Sequence, residues 1–140
     1  ELWLDKTYYA FPDDQVMYYK MYKTGLKILT SFDSGAIHLD ASSTVEKSKE
    51  KTEKLIYSEY RNKLIFWHRF IFLPEKNLLL KFWSVIAISY VYGIQGMKYG
   101  VKYLFDDKDM SVAYINGVAD GFSFLKSEGY KKLPKIKSCR

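Results

Sequence analysis

The chain has 140 residues, of which 48% are hydrophobic and 18% aromatic, and its formal net charge is +6 at pH 7. This length and apolar content argue against an intrinsically disordered chain and allow one domain to bury a core without disulfides. The positive charge favours acidic partners, namely a protein surface, a nucleic acid or an anionic membrane, without choosing among them.

The two chain ends carry a lone cysteine and a start without Met. Cys139 is the only cysteine, so neither an intramolecular disulfide nor a cysteine-based metal site is predicted. The sequence starts ELWLDKTYY, without Met and without an apolar leader. Such a start is expected of an exported protein whose signal peptide has been removed, and also of a shortened sequence. We prefer export.

The first predicted helix lies within FPDDQVMYYKMYKTG, residues 11–25. Pro12 suits a first helical turn, and Gly25 suits a helix end. Apolar residues in the same segment also fit the alternation of a strand, although we prefer the helix. The next residues, 26–43, contain a short apolar piece followed by the Gly- and Ser-rich signals of a turn or long loop.

The second predicted helix begins at a capping box. Ser43 and Glu46 have the S-x-x-E spacing that satisfies open backbone donors in a first helical turn. The charged stretch EKSKEKTEK follows, as on a solvated helix face, and Glu50 and Lys54 form a favourable i,i+4 pair. From Leu55 the sequence becomes apolar, which predicts a helix that is polar at one end and packed at the other.

A helix hairpin is predicted around Pro74. Proline disfavours helical geometry at the residue before it, yet it suits the first turn of a new helix. The next helix is expected to run from about Asn77 to Phe105. A fourth helix is predicted over about 110–127, with Asp109 as its cap, and Gly129 is expected to stop it.

The third predicted helix raises the question of a membrane. Residues 78–100, LLLKFWSVIAISYVYGIQGMKYG, approach the length of about 20 apolar residues that a bilayer requires. Lys81 and Lys98 bracket an uncharged stretch, but the serines, glutamine and glycines within it lower its mean hydropathy. The sequence therefore favours a buried core helix, and a membrane helix is the alternative.

Small residues recur at helical spacing on the third and fourth predicted helices. Glycine inside a helix costs about 1 kcal/mol relative to alanine, so a close approach of two helix backbones is expected to compensate. We predict that these two helices cross at short range. The predicted packing positions are Gly93, Gly96, Gly100, Ala113, Gly117 and Gly121.

The stretch SVAYINGVADG, residues 111–121, resembles an early helix of the Rap/Tai family of type VI secretion immunity proteins. In that family a Cys, then Gly-Tyr, then Gly and Asp recur at this spacing. The matching positions are Ser111 in place of the cysteine, Tyr114, Gly117 and Asp120; KLPK at 132–135 resembles the family's Cys-hydrophobic-Pro element, with Lys132 in place of cysteine. The resemblance implies a small helical periplasmic protein that binds an effector enzyme.

Catalytic and cofactor signatures do not emerge from the sequence. His38 and Asp40 have the spacing of a general-base pair, but no positioned Ser or Cys nucleophile accompanies them, and His68 fits a helix interface. Neither a P-loop nor a dinucleotide fingerprint occurs, and Asp106, Asp107 and Asp109 follow no EF-hand pattern. No enzyme activity, cofactor or metal is therefore predicted. Nucleic-acid binding is disfavoured because no recognised binding motif organises the lysines and tyrosines.

These observations predict an all-α single domain, residues 1–140, of four or five helices, with a basic and flexible tail at 128–140. The predicted function is non-catalytic protein binding, in the form of an exported immunity or inhibitor protein that occludes a partner enzyme. Assembly into a homo-oligomer is a further alternative. The predicted partner-binding residues are Asn116, Asp120, Tyr130, Lys131 and Lys132. The alternative is a membrane-associated helical subunit of a larger complex, held by the helix at 78–100.

Overall fold

The computed structural model describes residues 17–19, 21–22, 24–27, 49–105 and 108–133. Within these ranges all regular structure is helical, so the predicted all-α class is confirmed. Residues 17–19 and 21–22 are helical, and Gly25 follows with a φ of 75°, a backbone conformation that favours glycine at a helix end. The predicted capping box at Ser43 and Glu46, most of the predicted loop and the His38–Asp40 pair lie outside the described residues.

The first long helix, α1, spans Lys49–Phe66 and continues into a π-helical segment at Trp67–Phe72. The wider π spacing is visible in the backbone, where Leu73 N–H donates to the carbonyl of His68, five residues earlier, at 2.9 Å. The charged start of α1 is exposed and its second half is packed, as predicted. Its buried apolar side chains, together with one from the π-helical segment, are Ile56, Tyr60, Leu64, Ile65 and Phe70.

The predicted hairpin around Pro74 is confirmed. A short turn separates the π-helical segment from α2, which spans Leu78–Phe105. Asn77 stands immediately before α2, and its side-chain oxygen accepts from the backbone N–H of Leu79 at 2.9 Å. This contact satisfies a donor that the first turn leaves open, so Asn77 acts as the N-cap.

Helix α3 spans Lys108–Lys126, and the short α4 spans Glu128–Lys131. Two details differ from the predicted helix ends. Asp109 lies inside the first turn of α3, where its carboxylate pairs with Lys49 at 2.5 Å, so it is not the cap. Gly129 lies inside α4, because the Ser127 side chain accepts from the backbone N–H of Tyr130 and restarts the helix.

Helices α1 and α3 run parallel to each other and form the main contact of the fold. The contacts pair Lys49 with Asp109 near the two helix starts and Arg61 with Gly121 further along. Each pair is about 60 positions apart in sequence, so the register stays constant along the two helices. Helix α2 connects them and returns in the opposite direction.

Glycines on α3 bring the two parallel helices close together. A Cβ atom at Gly117 would lie 2.5 Å from the carbonyl oxygen of Tyr57, and one at Gly121 would lie 3.1 Å from a methyl group of Leu64. Both partners belong to α1, whereas the sequence predicted packing against the helix that carries Gly93. That predicted pairing is wrong, because the parallel register places the glycine face of α3 on the backbone of α1.

The predicted packing positions on α2 have different surroundings. A Cβ atom at Gly96 would lie 3.6 Å from the hydroxyl of Tyr114, which is ordinary contact. At Gly93 and Gly100, no atom of the described structure lies within 4 Å of a Cβ position. These two glycines lie off the side of α2 that faces α1 and α3, so they do not mediate a close helix crossing in the described residues.

Candidate functional site

Tyrosines join α2 to the other two long helices. The ring of Tyr60 on α1 lies 4.7 Å from the ring of Tyr114 on α3, and Tyr114 stacks on Tyr99 of α2 at 4.8 Å. The Tyr60 hydroxyl donates to the side-chain oxygen of Gln95 at 3.0 Å, and the Tyr114 hydroxyl donates to the carbonyl of Tyr92 at 2.8 Å. Helix α2 is therefore held through hydrogen bonds as well as ring contacts. We name the cluster of Tyr60, Tyr92, Tyr99 and Tyr114 the tyrosine seam.

The side of α2 that meets the tyrosine seam is polar. Within α2, which is described throughout, Tyr99 alone is buried, and seven further residues are partly covered. Ile88 is the only aliphatic side chain among them. The residues of this packed face are Lys81, Ser84, Ile88, Tyr92, Gln95, Gly96, Tyr99 and Lys102.

The opposite side of α2 is apolar and exposed over its whole length. Residues three or four positions apart form this apolar face: Leu79, Trp83, Ile86, Tyr90, Ile94, Met97, Val101 and Leu104. Their exposed fractions range from 39% at Ile86 to 73% at Leu104. A helix on the surface of a soluble domain normally has the reverse arrangement, with the apolar side inward and the polar side in water. A contiguous apolar surface of this kind marks a binding surface.

Helix α2 is also the one helix in the described ranges that is long and apolar enough to cross a membrane. None of the residues in its most apolar window is buried in the described structure. The prediction of a buried core helix is therefore wrong. The physical reason is that α1 and α3 approach through glycines and cover each other's apolar sides, so that α2 contacts them from one side only.

The charged residues of α2 itself all have the same sign, whereas the acidic residues Glu75, Asp106 and Asp107 adjoin the helix in the sequence. From Lys76 to Phe105 every charged residue is a lysine, at positions 76, 81, 98 and 102. The ammonium of Lys81 lies 5.2 Å from the centre of the Phe72 ring, and that of Lys98 lies 5.6 Å from the centre of the Tyr99 ring. Two of these lysines, Lys81 and Lys102, belong to the packed face, and Lys98 is exposed, so α2 carries positive charge that would attract anionic groups.

The predicted partner-binding residues lie on α3 and α4 and at the end of α4, and one of them is in the core. Asn116 and Asp120 are exposed on α3, and the Asp120 carboxylate accepts from the Tyr57 hydroxyl at 2.6 Å. Lys131 and Lys132 are exposed at the end of α4, where Lys131 pairs with Glu128 at 2.7 Å. Tyr130 differs from the other four because it is 7% exposed and belongs to the core with Ile65 and Phe70.

An open groove of about 270 Å³ lies between the first halves of α1 and α3. It is close to the Lys49–Asp109 ion pair and contains the predicted site residue Asn116. Its lining combines carboxylates, a lysine and apolar side chains: Glu53, Lys54, Tyr57, Asp109, Val112, Ala113 and Asn116. No single chemistry is concentrated there, so the apolar face of α2 is the stronger candidate site.

His68 lies at a helix interface, where its Nδ1 atom is 2.7 Å from the Tyr130 hydroxyl. Burial lowers the pKa of His68 from its ordinary value of 6.5, because the charged imidazolium loses solvation. Burial likewise raises the pKa of Tyr130 to about 12. The pair is therefore neutral in the folded protein at pH 7 and links the π-helical segment to α4.

The depressed pKa of His68 predicts an acid-sensitive stability. Between pH 6.5 and 5 the unfolded chain takes up a proton at His68 that the folded chain resists, so the free energy of unfolding should fall as the pH falls. A His68→Gln variant should show a shallower decline over this interval when both proteins are unfolded with urea at a series of pH values. Equal slopes in the two proteins would contradict the assignment to His68.

A second prediction concerns the contribution of the hydrogen bond between Asp120 and Tyr57 to stability. Asp120→Ala and Tyr57→Phe should each lower the free energy of unfolding by about 1 kcal/mol, because each removes the same hydrogen bond. The double variant should lose little more than either single variant, as measured by urea unfolding. Asn116→Ala, a substitution on the same exposed side of α3, serves as a control and should change stability by about 0.5 kcal/mol or less. Additive losses would show that the two groups act separately.

A metal centre is not formed by the described residues, since no three His, Cys, Asp or Glu side chains within them are grouped closely enough to hold an ion. Comparison of the chain with models of protein families, with curated proteins and with solved structures finds no match. The resemblance to the Rap/Tai immunity proteins stays a prediction from the sequence.

Sequence reasoning missed the apolar face because it judged residues 78–100 by mean hydropathy. A signal was present in the order of the residues. Ser84, Tyr92, Gln95 and Tyr99 interrupt the apolar stretch at spacings of three, four or eight positions, which places them on one side of a helix. When the polar residues lie on one side of a helix, the other side is continuously apolar, whatever the mean hydropathy of the whole stretch.

Proposed function

We propose that this chain is a non-catalytic, membrane-associated helical protein that binds lipid through the apolar face of α2. The observation that carries the proposal is the inverted orientation of α2, whose polar side packs inward and whose apolar side is exposed. The proposal corresponds to the alternative drawn from the sequence, a membrane-associated subunit held by the helix at 78–100.

The size of the exposed apolar face supports an apolar environment around it. Fully burying one large apolar side chain contributes about 1.5–3 kcal/mol, so the eight partly exposed residues together represent on the order of 10 kcal/mol. A whole domain has a net stability of about 5–15 kcal/mol. A surface whose burial is worth as much as the fold itself favours a function in which that surface is covered.

Two explanations of the apolar helix that involve no membrane contact agree poorly with the structure and the sequence. The core helix of a soluble protein is mostly buried, whereas the most apolar window of α2 has no buried residue in the described structure. A secretory signal sequence lies near an N-terminus, whereas at least 77 residues precede Leu78. Among the classes of partner, an anionic lipid surface also matches the lysines within α2, at positions 81, 98 and 102.

The test is co-sedimentation with vesicles of phosphatidylcholine and phosphatidylglycerol. The parent protein should sediment with them, and the double variant Ile86→Asp/Ile94→Asp should bind at least 10-fold more weakly. Both substituted side chains are exposed, so the circular dichroism of the variant should stay helical. The double variant Asn116→Asp/Ser123→Asp makes the same charge change on exposed positions of α3 and should keep binding.

Failure of the parent protein to sediment, together with a monodisperse state in the absence of detergent, would overturn the proposal. Equal binding by the two double variants would show that the apolar face is not the contact surface. The second-ranked function, an exported immunity or inhibitor protein, has weaker support because one of its predicted binding residues, Tyr130, is 7% exposed and packs in the core.

A further inference from the structure

We infer that α2 lies along the surface of an anionic bilayer, within one leaflet, and does not span the membrane. The inference rests on the proposed function and specifies how the lipid contact is made. It follows from the charged side chains that α1 and the π-helical segment hold beside the uncharged middle of α2.

Contacts at two points fix the position of α1 and the π-helical segment along the length of α2. Tyr60 donates a hydrogen bond to Gln95 at 3.0 Å, near one end of the uncharged stretch at 82–97. The ring of Phe72 lies 5.2 Å from the ammonium of Lys81, at the other end of that stretch. Residues 60–72 therefore run beside the part of α2 that a spanning orientation would place in the hydrocarbon core.

This neighbouring segment is rich in ionisable side chains. Glu59 and Lys63 form an ion pair at 2.9 Å that is about one third exposed, and the guanidinium of Arg61 lies 5.1 Å from the centre of the Phe124 ring. His68 and Arg69 follow in the π-helical segment. In a spanning orientation these groups would lie at hydrocarbon depth, where charged side chains and open polar groups are strongly disfavoured.

An orientation along the surface avoids that cost. Tyr90 on the apolar face and Tyr92 on the packed face are two positions apart, which places their side chains about 160° apart around an α-helix. The apolar face therefore points away from α1 and α3. An interfacial helix buries its apolar side by about 5–10 Å, so α2 can enter the acyl boundary while α1 and α3 stay on the aqueous side.

The lysines of α2 favour a bilayer with anionic headgroups. Three lysines and no acidic residue lie within α2, at positions 81, 98 and 102, while Glu75 precedes the helix and Asp106 and Asp107 follow it in the sequence. In a helix that lies flat, the three lysines lie near the headgroup layer of the same leaflet, which a lysine can reach by extending its alkyl chain. An anionic headgroup layer complements this charge, and the attraction should weaken with salt.

The orientation is tested by measuring the depth of labels along the apolar face. Trp83→Cys, Tyr90→Cys and Met97→Cys are each made in a Cys139→Ser background and labelled with an environment-sensitive fluorophore. The full-length proteins are mixed with vesicles of phosphatidylcholine and phosphatidylglycerol, and also reconstituted into them from detergent. Lipids brominated at different acyl positions then report the depth. We expect the three labels to lie at one shallow depth, and an Asn116→Cys control to stay unquenched.

The outcomes separate the orientation from lipid binding itself. A label at position 90 that lies deeper than the labels at 83 and 97 would show a spanning helix and overturn this inference while leaving the proposed function intact. Labels that vesicles do not quench would overturn both, including the case in which a second copy of the chain covers the face. Binding to pure phosphatidylcholine that equals binding to the anionic vesicles at low salt would overturn the assignment of an anionic leaflet.

Discussion

Gly117→Leu is expected to destabilise the fold by about 3 kcal/mol or more. A Cβ atom at this position would lie 2.5 Å from the carbonyl oxygen of Tyr57 and 3.1 Å from its Cα, and both of these are backbone atoms of α1. Backbone atoms cannot rotate away as the end of a side chain can, so the two parallel helices must separate. Overpacking of a core costs about 1–3 kcal/mol and occasionally more, and this site is tighter than most. Urea unfolding followed by circular dichroism measures the loss.

Gly93→Ala is the matched control for this prediction. It also adds a side chain to a helical glycine, but no atom of the described structure lies within 4 Å of the new Cβ position. Alanine favours a helix over glycine by about 1 kcal/mol, so Gly93→Ala should leave stability unchanged or raise it. If Gly117→Leu were as stable as the parent protein, the close approach of α1 and α3 would be disproved.

Tyr60→Ala is expected to cost about 3–5 kcal/mol, which is the usual range for truncating a large buried aromatic side chain. Tyr60 is 4% exposed, and its ring contacts the rings of Tyr92, Tyr99 and Tyr114. The substitution therefore removes the centre of the tyrosine seam, where all three long helices meet. Urea unfolding should show the loss, and near-ultraviolet circular dichroism should show weaker aromatic signals.

Two further variants divide this effect into its parts. Tyr60→Phe keeps the ring and removes the hydrogen bond to Gln95, so it should cost about 0.5–1.5 kcal/mol. Tyr90→Ala truncates a tyrosine that is 68% exposed on the apolar face and should leave the unfolding transition nearly unchanged. Similar losses in Tyr60→Ala and Tyr90→Ala would mean that the seam does not hold α2 in place.

Local signals in the sequence predicted individual helices well. Pro74 marks the turn before α2, and the predicted range from about Asn77 to Phe105 differs from the observed helix by one residue. The reason is that proline geometry and helix capping act over a few neighbouring residues. The π-helical segment at Trp67–Phe72 escaped prediction because its sequence continues the apolar pattern of α1 without a local break.

The arrangement of the helices was harder to predict, since it depends on distant residues. Gly117 and Gly121 identify one side of α3 as a close-packing surface, but nothing in their spacing identifies α1 as the partner. Tyr130 looked like part of a basic tail, yet its ring packs in the core with Ile65 and Phe70, which lie 60 or more positions earlier in the sequence. To predict either arrangement, one would need to know a contact between elements that are far apart in the sequence.

The parallel pairing of α1 and α3 has a consequence for the order in which the chain acquires structure during synthesis. Contacts such as Lys49 with Asp109 join residues about 60 positions apart, so α1 cannot pair with α3 until α2 and much of α3 have left the ribosome. Closing so long a loop carries an entropic cost that delays the formation of this pair. Helix α2 is therefore complete while the pair of α1 and α3 is still unformed.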